Sequence, residues 1–139
     1  MNPTDIFQPF VATMLLTMVV WIYMYGRRLP FIFSAGLDAK QMTPLELARV
    51  SPPGVSNPSD NLKNLLELPT IFYAVVLYVF ATNQVDATYV GAAWVFFLFR
   101  VLHSAVHCTF NFIPLRFLLY VISAGALWFM VARVAAATL

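Results

Sequence analysis

Four apolar runs, at about residues 6–25, 62–81, 87–108 and 115–137, each have the length of a helix that crosses a bilayer, which takes about 20 residues at a rise of about 1.5 Å each. In hydrocarbon every backbone N–H and C=O must be satisfied inside the protein, so a lipid-exposed run of this length has to be helical. The chain is therefore expected to be an all-α integral membrane protein. Its composition agrees: 61% of residues are hydrophobic and 10% charged, and the mean hydropathy is +0.79, whereas soluble domains carry about 25% charged residues. The first run is preceded by Asp5 and followed by Arg27 and Arg28. It lacks a basic leading region and is too long for a signal core, so a cleaved signal is not expected. The single cysteine, Cys108, excludes an intrachain disulfide and a cysteine-based zinc cluster. A net charge of +2 gives no reason to expect a nucleic-acid partner.

Two connections are short, residues 82–86 and 109–114, and short loops make consecutive helices antiparallel neighbours. The expected architecture is an up-down four-helix transmembrane bundle forming one domain over residues 1–139. The remaining connection, residues 27–61, is long and carries Pro30, Pro44, Pro52, Pro53 and Pro58, which argues against regular structure along its whole length. Within it, Thr43-Pro44-Leu45-Glu46 has the form of a capping box with proline at the first helical position, and Ser51-Pro52-Pro53 supplies a stop. A short interfacial helix is predicted there. Pro69 falls inside the second run and should kink it. Trp21, Tyr23 and Tyr25 close the first run, where aromatic side chains favour a membrane boundary. Arg27, Arg28, Lys40 and Arg49 all lie in the long connection, which the positive-inside rule places in the cytoplasm with both termini outside. Arg133 is the exception, expected to snorkel outward to headgroups.

The polar residues inside the runs are few and patterned. Arg100, His103, Ser104 and His107 recur at i, i+3, i+4 and i+7, one face of a helix. A central arginine costs roughly 2.5–3.5 kcal/mol on insertion scales, so this face must meet protein or water. Asn64 and Glu67 share a face of the second helix, and Arg116 and Tyr120 a face of the fourth, all at the end of the bundle that carries the long connection. The expected pairing for the deepest of them, Arg100, is a buried salt bridge to Glu67 that locks two helices together. His103 and His107 have metal-ligand spacing, but no third ligand accompanies them and His-Ser-Ala-Val-His lacks the glutamate of the metalloprotease signature, so no metal is expected. Ser104 has no partners for a hydrolytic triad. Arg28, Lys63, Arg100 and Arg116 against Glu67 describe a cationic pocket open to cytosol and to lipid. It suits a small anion, a peptide or thiolate, beside an apolar second substrate; a neighbouring arginine lowers a thiol's pKa and favours the nucleophilic thiolate. The other reading is a non-catalytic membrane scaffold or lipid- and anion-binding module, in which the cluster only holds helices together, Arg116 meets headgroup phosphates and Tyr120 anchors at the interface.

Three motifs carry a resemblance: Asn64-Leu65-Leu66-Glu67, then Arg100-Val101-Leu102-His103-Ser104, then Pro114-Leu115-Arg116 with Tyr120 four residues on. In this order and spacing the chain resembles the MAPEG family, membrane-associated proteins in eicosanoid and glutathione metabolism, over residues of about 60–135. The resemblance implies a homotrimer with pockets between subunits near the cytoplasmic face, where glutathione binds and its sulfur attacks a lipophilic electrophile or peroxide. It implies that Asn64, Glu67, His103, Arg116 and Tyr120 contact glutathione, that Arg116 stabilises the thiolate, and that Arg100 is structural. Arg28 corresponds by position to a basic residue reaching a neighbouring subunit's ligand, and Lys63 and His107 are counted with the binding residues. Three features depart from the family pattern. Lys63 is the one basic residue before the first motif and Asp60 stands beside it, His107 replaces a tyrosine of some eicosanoid enzymes, and Phe117 replaces a hydroxyl residue. The implied function is a glutathione- or other thiol-dependent transferase or peroxidase of a bacterial inner membrane, without eicosanoid specificity. Its partners would be membrane lipids, a lipophilic small molecule and further copies of itself. Small residues at Gly91-Ala92-Ala93 and Ser123-Ala124-Gly125-Ala126 would let helices approach closely in such an assembly.

Overall fold

Local signals set where each helix begins and ends. A computed structural model describes residues 2–38, 40 and 42–139. Asn2 and Asp5 cap a 3-10 turn, Pro3–Ile6, that runs directly into α1, Phe7–Ser34. Gly36 ends α1 in the left-handed region at φ 62°, and the Leu37 N–H returns to the Ile32 carbonyl at 3.2 Å, the closing bond of a glycine C-cap. Thr43 and Glu46 form the capping box of α2, Pro44–Val50, with the Thr43 N–H donating to Glu46 Oε2 at 2.8 Å. The Thr43 hydroxyl, and then its N–H, hold the Glu46 carboxyl below the usual carboxylate range. Next comes α3, Pro53–Ala81. Asp86 caps α4, Ala87–Cys108, by accepting from the Tyr89 N–H at 2.8 Å. The last helix is α5, Ile113–Thr138. Among the described residues there is no strand, and α1, α3, α4 and α5 are each long and apolar enough to cross a membrane.

Two helices outrun their sequence expectation. The first continues through Pro30 to Ser34, and α3 starts at Pro53 and passes through Pro58, so most of the stretch read as an irregular connection is helical. An interior proline removes one N–H and strands the carbonyl four residues back, at a cost of about 3 kcal/mol. For Pro58 that carbonyl belongs to Gly54, and Arg27 Nε donates to it at 3.2 Å. A Cβ at Gly54 would lie 2.9 Å from Arg27 Nη2, so the absent side chain is what admits the guanidinium. The 28 residues of α1 and 29 of α3 correspond to about 42 and about 43 Å, against a hydrocarbon core of about 30 Å. Both helices are longer than such a core by about 12 Å or more, and their extra turns lie at the α2 end.

In the bundle α1 packs chiefly on α3, and α4 on α5, with α4 also touching α1 and α3. The apolar core fills the half remote from α2, where Ile6, Phe72, Val76, Phe96, Leu127 and Met130 are buried. The Phe72 and Phe96 rings stack at 4.4 Å. At that end Arg133 does not reach outward to headgroups as expected. It grips Asp86 through both terminal guanidinium nitrogens, Nη1 at 3.1 Å and Nη2 at 2.7 Å, and lies 4.3 Å over the Tyr89 ring. The up-down path brings the end of α5 to the start of α4, a juxtaposition that sequence distance hides. Hydrogen bonding from Arg133 holds the Asp86 carboxyl down at about 2. The outward faces remain apolar, with Met14, Met18, Val19, Leu98, Leu118 and Phe129 exposed, as a helix surface solvated by lipid requires.

Candidate functional site

The half of the bundle nearest α2 is polar inside. Arg100, fully buried, marks the boundary, one turn beyond Phe96. Its guanidinium lies 5.5 Å from the Phe96 ring centroid and 4.8 Å from that of Tyr120, and none of its three nitrogens has a hydrogen-bond partner among the described residues. The expected salt bridge to Glu67 is absent. The ion pairs among the described residues are Lys63–Asp60 and Arg133–Asp86, and Glu67 sits exposed beside Leu66 and Thr70 on the outer face of α3. Aromatic faces, negative in their quadrupole, stand where the carboxylate was expected.

One turn further on, His103 Nδ1 lies 3.0 Å from the Arg116 carbonyl. A carbonyl only accepts, so Nδ1 carries a proton and donates, and in the neutral ring Nε2 is a buried lone pair without partner among the described residues. The His107 ring meets that of His103 edge-on at 5.6 Å, and its Nδ1 is also buried and unpaired. Ser104 turns the other way: its hydroxyl donates to Asn61 Oδ1 at 3.3 Å, and Asn61 Nδ2 donates to Cys108 Sγ at 3.5 Å. This buried amide ties α3 to α4, a role the sequence reading left unassigned, although Asn61 shares the i, i+3 face of Asn64. Arg116 is held by a second unassigned group. Its Nη1 donates to Asn111 Oδ1 at 2.6 Å, and Asn111 Nδ2 donates to Asn57 Oδ1 at 3.1 Å. Asn111 adopts φ 47° in the turn between α4 and α5, a left-handed conformation that asparagine tolerates better than most residues.

Asn64, His103, Arg116 and Tyr120 come together to line one cavity of about 280 Å³, with Ile113 and Phe117 at its mouth. Asn64, Arg116 and Tyr120 are half-buried, whereas Ile113 and Phe117 are 63% and 64% exposed, so polar walls meet an apolar rim. Asn111 engages one nitrogen of Arg116, the one hydrogen bond this guanidinium makes among the described residues. A fixed cation, a phenol and an amide can receive one small anionic group and donate hydrogen bonds to it, while the neutral His103 ring presents only its Nε2 lone pair, an acceptor. The other residues expected here are elsewhere. Glu67 is on the outer face, and His107 is buried but does not line the cavity. Arg28 and Lys63 line a separate cavity of about 180 Å³ beneath α2. Among the described residues no group of three His, Cys, Asp or Glu side chains is placed to hold a metal.

No curated protein and no solved structure matches the chain significantly. The sequence model of the MAPEG family does, over residues 6–136. With nearly its whole length matched, this integral membrane protein belongs to the MAPEG family.

Proposed function

We propose that the cavity lined by Asn64, His103, Arg116 and Tyr120 binds glutathione or another small thiol and presents its sulfur to a lipophilic electrophile or peroxide. The observation that carries this reading is the half-buried Arg116 guanidinium, tethered at one nitrogen by Asn111 and open at the others, between polar walls and an apolar mouth. A fixed cation beside the sulfur favours thiolate over thiol, and the thiolate is the nucleophile. In conjugation the thiol proton passes to water, a sulfur–carbon bond forms, and the leaving group departs with its electron pair. Asn64 and Tyr120 would orient the thiol, and the Ile113–Phe117 rim would admit an apolar substrate from the membrane. Glutathione has two carboxylates, and one protomer's cavity offers a single arginine. That imbalance supports a homotrimer in which a neighbouring chain meets the second carboxylate. The distribution of Arg27, Arg28, Lys40 and Arg49 supports a cytoplasmic placement of the α2 end.

The test is conjugation of chlorodinitrobenzene by purified protein in detergent. Wild type is expected to form the glutathione adduct, and Arg116→Gln to lower kcat/KM by about tenfold or more, the loss of one charge-assisted contact. Absence of conjugate with this and with a lipid hydroperoxide would overturn the assignment. A second reading, a non-catalytic scaffold, is favoured by one observation: His103 and Arg116 both also bond α4 and the preceding turn to α5. It requires that Arg116→Ala leave every ligand interaction unchanged.

A further inference from the structure

Beneath α2 lies the cavity that the thiol site does not use. Its walls come from three helices: Arg28 of α1, Ala48 of α2, and Ser56, Ser59, Asp60 and Lys63 of α3. We propose that this cavity receives the phosphate of a phospholipid headgroup, with Arg28 as the principal contact.

Charge accounting within the cavity points to an anion. Lys63 and Asp60 neutralise each other at 2.8 Å; the neighbouring Arg27 gives its Nε to the Gly54 carbonyl, which satisfies a donor but leaves its charge unbalanced. Among the described residues Arg28 is a second cation without a counter-charge, and its Nε is buried there without a hydrogen-bond partner. A buried guanidinium N–H in this state is a donor waiting for an acceptor, and phosphate is the acceptor whose geometry matches it best. Ser59 adds a hydroxyl from the facing helix, with no bond of its own to a protein acceptor among the described residues.

Depth points to a lipid as the source. Counted from Phe7 at about 1.5 Å per residue, Arg28 lies about 32 Å along α1, just past a hydrocarbon core of about 30 Å and so level with the phosphates. On the neighbouring turns apolar side chains stay uncovered among the described residues: Phe33 of α1 is 80% exposed, and Leu45 and Val50 of α2 are 64% and 50% exposed. A short helix with exposed apolar residues beside a cationic hollow at headgroup depth is the arrangement of an interfacial lipid contact.

The test uses the full chain in detergent, titrated with phosphatidylglycerol and followed by native mass spectrometry, with diacylglycerol and inorganic phosphate as the comparison ligands. One phosphatidylglycerol per chain is expected, with no retention of diacylglycerol and no displacement by millimolar phosphate. Arg28→Gln should weaken binding by about tenfold. Arg49→Gln, an equal charge change outside the cavity, should change it by less than about twofold. Equal losses in the two variants would overturn the proposal in favour of unspecific surface charge, and displacement by phosphate would overturn the lipid source. Loss of binding only when a higher oligomer dissociates would assign the face to a second copy. If Arg28→Gln does not fold, Arg28→Lys serves: it keeps the charge, removes the buried Nε donor, and should still weaken binding severalfold. Retention of wild-type affinity in that variant would equally overturn the role of Arg28. Arg116→Gln should keep the lipid, so failure here and failure of the thiol reading are separable.

Discussion

Replacing Arg100 with methionine should leave the fold intact, although it removes a fully buried charge from the middle of the bundle. The sequence pattern suggests the opposite, since breaking a buried salt bridge by deleting one partner costs about 3–5 kcal/mol. In the structure there is no such bridge. Arg100 forgoes its hydration, roughly 2.5–3.5 kcal/mol on insertion scales, and recovers about 0.5–2 kcal/mol from each of the rings of Phe96 and Tyr120. These terms nearly cancel, so Arg100→Met, which keeps much of the side-chain volume, should shift stability by less than about 2 kcal/mol in either direction. Glu67→Gln, on an exposed face, should cost less than about 0.5 kcal/mol. The decisive quantity is the coupling in a double-mutant cycle, measured by denaturant unfolding of all four proteins in one detergent. The structure requires a coupling below about 0.5 kcal/mol. A coupling near 3 kcal/mol would mean that Glu67 is the counter-ion after all and that the two-ring account of Arg100 is wrong.

Two further consequences concern the groups around the loops. Asn111→Gly preserves the left-handed turn but removes the 2.6 Å tether on Arg116; KM for the thiol should rise about three- to tenfold, and an unchanged KM would mean that the guanidinium positions itself. The Asp86 carboxyl, depressed to about 2 from an ordinary 3.8 chiefly by hydrogen bonding from Arg133, stabilises the fold fully above its ordinary value, and this contribution disappears as pH falls through about 2. Because Asp86 is 45% and Arg133 34% exposed, the effect should stay below about 1 kcal/mol. Asp86→Asn should flatten that acid limb in an unfolding titration, and an unaltered limb would remove the pair from the account.

What was legible in the sequence follows from what lipid enforces. Apolar runs of helical length had to be helices, Thr43 to Glu46 had to cap α2, and the polar stripe of Arg100, His103 and Ser104 had to face inward. Four of the residues singled out, Asn64, His103, Arg116 and Tyr120, do share one cavity. Two kinds of fact were not legible. Pro58 reads as a break, because local propensity cannot show that Arg27 arrives from another helix to satisfy the Gly54 carbonyl. Pairings also depend on helix rotation. Asn64 and Glu67 share a face by spacing, yet a modest rotation of α3 turns Asn64 to the cavity and leaves Glu67 outside. For the same reason Asn61, Asn57 and Asn111 escaped notice: each bonds across elements, to partners that only the packed bundle supplies.

In the proposed function Arg116 holds a thiol as its anion. The most direct measurement is the ultraviolet difference spectrum on mixing purified protein with glutathione at neutral pH, where thiolate absorbs and thiol does not. Wild type should show a thiolate band that saturates with added glutathione, and Arg116→Gln should lose it while still melting cooperatively as a folded protein. A band of full amplitude in Arg116→Gln, or glutathione binding to wild type with no thiolate formed, would contradict the role assigned to this arginine.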